Sequence, residues 1–162
     1  MERIVCGIDP GINGALVMID QRRNVISKMI MPYDKKIKEI DCNVLFEFFM
    51  DNKNNIDCIF LEAAASRPLQ SSKSTFTSGM NFGILRALIS ISKIKFEIVH
   101  PSKWTKEVCV GLPASLDTKA KALLSAKRLF PQYSFIPEKC KVPHTGLVDA
   151  VLIAEYGMRR LR

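Results

Sequence analysis

Apolar residues in the first 32 positions come in short blocks. "RIVCGID" (Arg3 to Asp9), "GALVMID" (Gly14 to Asp20) and "NVISKMIMP" (Asn24 to Pro32) are strand-length runs, joined by "PGIN" and "QRRN". Connections this short allow only antiparallel neighbours, so the opening predicts a three-stranded meander. The period then changes. In "DCNVLFEFFMDNKNN", Val44, Leu45, Phe48 and Phe49 fall on one stripe at helical spacing, with Asp41 as N-cap. "IDCIFLEAA" is a short, nearly continuous apolar run, the pattern of a strand covered on both faces.

"SRPLQSSKSTFTSGMNFGILRALISISK" starts as a polar loop and becomes a helix with Phe82, Leu85, Leu88 and Ile89 on its buried side. "IKFEIVHP" predicts a fifth strand stopped by Pro101, and "SKWTKEVCVG" a short helix with Gly111 past its end. "SLDTKAKALLSAKRLFP" predicts a longer helix capped by Asp117 or Ser115, with Pro131 beyond its stop. After a loop, "HTGLVDAVLIAEYGMRRLR" closes the chain as an amphipathic helix with Asp149 about one turn in. The expected fold is α/β: a mixed five-stranded sheet, three antiparallel strands and then two parallel ones, flanked by helices. At 162 residues and 48% hydrophobic, the chain suits one core, so residues 1–162 are expected to form a single domain.

Charge adds a partner class. Twenty-four Lys and Arg against sixteen Asp and Glu give a net charge of +8, which favours an anionic partner such as nucleic acid. Lys103, Lys106, Lys119, Lys121, Lys127 and Arg128 crowd one quarter of the chain, where solvated helix faces are the plainer explanation. Five cysteines without a CxxC pair point to neither a disulfide frame nor a zinc site, and to a reducing compartment: cytoplasm, nucleoid or host cytoplasm, with an organelle also open. "MERIVCGID" runs straight into a strand, with no signal-peptide pattern, and no apolar run nears the roughly 18 residues that span a bilayer, so a soluble protein without a membrane partner is expected.

Three carboxylates carry the chemistry. Asp9 ends the first strand, Glu62 ends the fourth, and Asp149 stands near the start of the last helix. A parallel pairing of the fourth strand beside the first brings Asp9 and Glu62 to one sheet edge. Carboxylates gathered that closely need a counter-charge, and hard divalent cations supply it; Mg²⁺ suits a few carboxylates completed by water and phosphate oxygens. Two such ions about 3.5 to 4 Å apart serve in-line phosphodiester hydrolysis. Each acid also has a plainer reading: an Asx turn at Asp9, an ion pair of Glu62 with Arg67, and a helix-dipole role for Asp149.

"GIDPGINGALVMID", "FLEAAASRPLQSSKSTFTSGMNFGIL", "VHPSKWTKEV", "DTKAKALLSAKRLFP" and "HTGLVDAVLIAEYGMRR", in this order, resemble the RuvC-like Holliday junction resolvases of the RNase H-like superfamily, nearest to their phage, viral and organellar branches. The resemblance implies a homodimeric, Mg²⁺- or Mn²⁺-dependent endonuclease, with two ions per active site, that nicks opposing strands of four-way DNA junctions and needs no small-molecule cofactor. It makes Asp9, Glu62 and Asp149 the metal ligands. Many relatives carry a further acid one turn before the last aspartate, where this chain has Thr145 and Gly146; His144 beside them becomes the catalytic candidate, as metal ligand or proton relay. A loop position is the plainer role for His144.

For DNA, the segment after Glu62 offers Arg67, Gln70, Lys73 and Ser74 as phosphate contacts, and Leu69 or Phe76 as the apolar group inserted at the junction centre. Phe76 has a core position as its alternative. Lys103, Lys106, Lys119 and Lys121 are candidates to track the arms. The helix from Phe82 to Ile91 is the candidate dimer interface, or else core. "GIDPG" also resembles the first phosphate hairpin of sugar-kinase and actin-like ATPases, but those need two such domains and a second glycine-rich loop. A non-catalytic branched-DNA-binding module, or a nuclease for flap or RNA-containing structures, is the alternative function. His100 and Trp104 are expected to be a strand-end and a core residue.

Overall fold

The strand β1 (Ile4–Asp9) lies at the centre of the sheet, paired antiparallel with β2 (Ala15–Asp20) on one side and parallel with β6 (Cys58–Glu62) on the other. The computed structural model describes residues 2–36, 39–64 and 71–161. β3 (Val25–Ile30) extends the antiparallel side and β7 (Phe96–Val99) the parallel side, giving the order β3-β2-β1-β6-β7. This is the mixed sheet that the short hairpins and the later crossovers predict. The two-residue strands β4 (Tyr33–Asp34) and β5 (Glu39–Ile40) form a separate hairpin without an apolar period to announce it.

Side-chain alternation divides the sheet into two cores. Cys6, Ile8, Leu16, Met18, Ile59 and Leu61 face α1 (Cys42–Asn52) and α2 (Ser72–Ser92), whose Leu45, Phe49, Leu85 and Ile89 are fully buried. Val5, Val17, Ile19 and Phe60 face the other layer: α3 (Pro101–Val108), α4 (Thr118–Leu129) and α5 (Thr145–Arg160). Burying a side chain such as Leu45 or Phe60 contributes roughly 1.5–3 kcal/mol, so each layer has strong reason to stay on its face.

Caps start the helices where the sequence indicates. Asp41 accepts from the amides of Asn43 and Val44, and Asp117, not Ser115, accepts from Ala120. The helix expected after the polar loop begins at Ser72, ahead of its apolar stripe, started by the Ser71 hydroxyl accepting from the Ser74 amide. Two expectations need correction. Val44 is 38% exposed, and the buried stripe of α1 is Leu45 and Phe49 with Phe48 at its side. α5 is not amphipathic: Gly146, Leu147, Val148 and every residue from Ala150 to Met158 are buried. A helix that is apolar on nearly all sides is a core helix, and α5 lies between the sheet and the α3 and α4 layer. Its approach to β1 is close enough that a Cβ at Gly7 would collide with the Ala150 carbonyl oxygen.

All five cysteines are free, and burial pushes the Cys58 thiol up to about 11, which leaves it inert as a nucleophile. Among the described residues, no helix is long and apolar enough to cross a membrane.

Candidate active site

Asp9 and Glu62 stand one residue past the paired Ile8 and Leu61 at the carboxyl ends of neighbouring parallel strands. Paired residues in a parallel ladder share a face, and successive residues alternate. Ile8 and Leu61 point into the α1 and α2 core, so Asp9 and Glu62 point to the opposite face, the one that α5 covers. Asp149 lies on the second turn of that helix, half-buried. Fold and sequence therefore bring Asp9 and Glu62 to one end and one face of the sheet, and the helix that covers that face carries Asp149 at the same end, lining a neighbouring groove.

Asp9 and Glu62 each accept a hydrogen bond that fixes the carboxylate. The Asp9 carboxylate accepts from the Gly11 amide at 3.0 Å, the Asx turn that its Asp-Pro-Gly setting suggests. Glu62 accepts a 2.7 Å hydrogen bond from the indole N–H of Trp104, a residue only 3% exposed. Trp104 sits in the first turns of α3, which begins directly after β7, and β7 ends beside Glu62 with Val99 opposite it. Sequence reasoning missed this partner. A lone tryptophan, whose N–H needs a partner when buried, one turn after a strand expected at the same edge, was the available signal. Trp104→Phe keeps the ring and removes the donor; a 10- to 100-fold weaker affinity for added Mn²⁺, roughly the effect of losing such an orienting partner, is the expected outcome in a titration of the protein with that ion.

The start of α5 is fixed by close packing. A Cβ at Gly146 would collide with the Asn13 carbonyl oxygen and lie 2.6 Å from the Gly14 carbonyl carbon, so only glycine lets α5 dock on the β1–β2 turn. Thr145 is exposed and forms a wall between two grooves. One, about 510 Å³, is lined by Asp9, Gly11 to Asn13, Thr145 and the first turns of α2. The other, about 320 Å³, is lined by Asp149, Thr145, Pro143, Asp117, Lys119 and Leu123. His144 is the N-cap of α5: its Nδ1 accepts from the Leu147 amide at 3.3 Å. An accepting Nδ1 leaves Nε2 as the other ring nitrogen available for hydrogen bonding.

The donor set is all hard oxygen, as Mg²⁺ or Mn²⁺ prefers. Among the described residues, no three His, Cys, Asp or Glu side chains gather closely enough to hold a metal ion by themselves. Mg²⁺ is commonly held by one or two carboxylates, with water and substrate phosphate completing the octahedron, so the Asp9 and Glu62 pair fits it.

The DNA candidates fall in several places. Arg67, Leu69 and Gln70 lie outside the described residues. Lys73 and Ser74 are exposed on the first turn of α2, and both line the Asp9 groove. Phe76 is 73% exposed on α2, which removes the core alternative. Lys119 lines the Asp149 groove, whereas Lys103 and Lys106 are exposed on α3 and line neither. Lys121 is half-buried, its ammonium donating to the Ala114 carbonyl at 3.3 Å. His100 caps α3 through Nδ1. The proposed dimer helix is partly core, since Leu85 and Ile89 are buried, while Ile91 is 64% exposed.

No protein family model matches the chain, and no curated protein matches it in sequence. In structure it is similar to RuvC of Thermus thermophilus, with a TM-score of 0.66, and to RuvC of the same organism in complex with Holliday junction substrate, with a TM-score of 0.63. Each likeness has 12% sequence identity and covers 98% of this chain and 95% of the other. The shared feature is the fold, the RuvC-like α/β architecture that the resemblance in sequence implies.

Proposed function

We propose that this chain is a metal-dependent endonuclease that resolves four-way DNA junctions by symmetric nicking, its residues forming one nuclease domain. The observation that carries the reading is the placement of Asp9 and Glu62 on adjacent parallel strands, on the face and at the end where α5 presents Asp149. The RuvC-like fold, found in a structure that holds Holliday junction substrate, supports the substrate class.

Asp9 and Glu62, with Asp149 from the covering helix as the further ligand, would hold Mg²⁺, or Mn²⁺ in its place; two such ions would supply water activation and stabilisation of the leaving oxygen. Trp104 fixes the Glu62 carboxylate, so the acid does not have to be ordered when substrate arrives. His144, whose Nδ1 is tied to the α5 cap, is the residue that would hold or move a proton, through Nε2. Lys73 and the amino end of α2 form an anionic-ligand rim above Asp9, where a phosphate lies well. Lys103, Lys106 and Lys119 extend the positive surface along α3 and α4, and exposed Phe76 suits stacking on an unpaired base at the junction centre. Two opposing strands are cut together when two copies of the chain act as a homodimer in a soluble, reducing setting.

Phosphate contacts from Lys73, Lys103, Lys106 and Lys119 of both copies in the homodimer predict that junction affinity falls roughly 10⁴-fold between about 50 and 200 mM salt, measurable by fluorescence anisotropy. The reading itself is tested by incubating the protein with a synthetic four-way junction and with linear duplex of the same sequence, in Mg²⁺ and in EDTA. Nicks in the junction with Mg²⁺ alone are expected. Tight binding without cleavage in either buffer supports the non-catalytic branched-DNA module instead, and equal cutting of flaps or RNA-containing duplex supports the other nuclease class.

A further inference from the structure

The floor of the Asp9 groove holds a group that the nuclease reading leaves unexplained. Asn81 is 1% exposed, lines the groove, and has a side-chain carbonyl oxygen without a hydrogen-bond partner among the described residues. Asparagine is a poor choice inside a helix, and a buried unpaired acceptor lowers stability further. An apolar residue would serve α2 better if packing were its only task, as Leu85 and Ile89 do one and two turns later. The acceptor therefore makes sense when a donor arrives from outside.

The surroundings indicate what carries that donor. Ser74, Thr77, Ser78 and Asn81 recur on α2 at helical spacing and line the groove together, opposite Asp9 and the Gly11 to Asn13 turn. The Thr77 hydroxyl donates to the Lys73 carbonyl, so its proton is already engaged. Anion-binding features, Lys73 and the amino end of α2, stand at one end, and the unpaired acceptor stands in the buried floor. A ligand that satisfies both has a phosphate at one end and an N–H or O–H donor a short distance away, which is the layout of a nucleotide unit. The groove's volume of about 510 Å³ is in the range of small-ligand pockets and admits a unit of single strand, not a duplex.

Resting on the junction-nuclease reading, we propose that Asn81 is a specificity-determining residue: its carbonyl accepts a hydrogen bond from the exocyclic amino group, which thymine lacks, of the base next to the scissile phosphate. Bases that present such a donor in the groove are cut faster than those that present an acceptor there, because only the former relieve the buried oxygen. DNA carries no 2′-hydroxyl, so the base edge is the donor source in the natural substrate.

The test is single-turnover cleavage of a set of Mg²⁺-loaded four-way junctions that differ only in the nucleotides flanking the cut, by the parent protein, Asn81→Leu and Asn81→Ala. The parent is expected to favour a donor-bearing base at one flanking position by about 5- to 10-fold, the scale of one hydrogen bond. Both variants are expected to cut the favoured junction at the rate of the disfavoured ones, losing the preference. Asn81→Ala removes the same acceptor with less demand on packing, and thermal unfolding of each variant reports folding. Removing the amino group from the favoured base, as inosine does for guanine, abolishes the parent's advantage if the base is the donor. A parent without preference, or variants that keep it, overturns the inference while leaving junction cleavage intact. A rate gain from a single ribonucleotide that depends on Asn81 assigns the donor to the sugar and overturns it as well. No junction cleavage by the parent under any condition defeats the nuclease reading first, and this inference with it.

Discussion

Asp9→Asn is expected to reduce junction nicking by roughly 10²- to 10³-fold or more, the scale at which removal of one preorganised electrostatic group slows an enzyme, while junction binding survives. The substitution keeps the shape and leaves an oxygen to accept from the Gly11 amide, so the turn that Asp9 anchors remains. What it removes is the negative charge at the end of a buried strand, beside Glu62. Without that charge the edge attracts a divalent cation less strongly, and binding of the DNA backbone, a like charge, is not weakened. Single-turnover cleavage and anisotropy on the same four-way junction separate the two effects. Equal cutting by the variant and the parent excludes Asp9 from the chemistry.

Glu155→Ala is expected to destabilise the fold by about 3 kcal/mol, with a Tm lower by on the order of 10 °C in thermal unfolding. Glu155 is fully buried on α5, and its carboxylate accepts bonds of 2.9 Å from Arg23 at both oxygens and of 2.8 Å from Arg159. Arg23 is held for this at φ 66°, in the turn that Asp20 organises by accepting from the Arg22 and Asn24 amides. Arg159 also donates to the Glu107 carbonyl, and Arg160 pairs with the Glu107 carboxylate, so this cluster ties the last turn of α5 to β2, β3 and α3. Removing the acid leaves two cations facing each other. Their side chains are 37% and 31% exposed, which lets water recover part of the loss.

The same cluster has a pH signature. Burial alone would raise the Glu155 pKa, but the hydrogen bonds and charges of Arg23 and Arg159 outweigh it and hold the carboxyl below its ordinary value of 4.5. A folded-state value below the unfolded one stabilises the protein fully above about 4.5, and that stabilisation is lost as pH falls through the folded value. Urea unfolding of the parent is expected to weaken below that pH. The Glu155→Ala protein is expected to lack this part of the slope.

Much of the site was readable because its determinants are local in sequence. Short links dictate the meander, a continuous apolar run dictates a doubly covered strand, and the parallel crossover then brings Asp9 and Glu62 to one edge. Asp41 and Asp117 mark helix starts for the same reason, since a cap is a contact over a few residues. What escaped depends on partners distant in the chain. Trp104 finds Glu62 across 42 positions, and Arg23 finds Glu155 across 132. The polar beginning of α2 has weak helix propensity and forms through the Ser71 cap and the packing of Leu85 and Ile89 further along, neither of which a propensity scale contains. The basic chain end reads as a solvated face, yet Arg159 pairs with the buried Glu155, as does Arg23. Two arginines that contribute to the +8 balance are thereby occupied by a buried acid.

The most direct measurement of the central claim is the mapping of cleavage positions on a four-way junction with each strand labelled in turn, in Mg²⁺. The account predicts paired nicks at symmetric positions in two opposing strands, ligatable into linear duplexes, and none in EDTA. Nicks scattered along the arms, or cut linear duplex at the same rate, would contradict it.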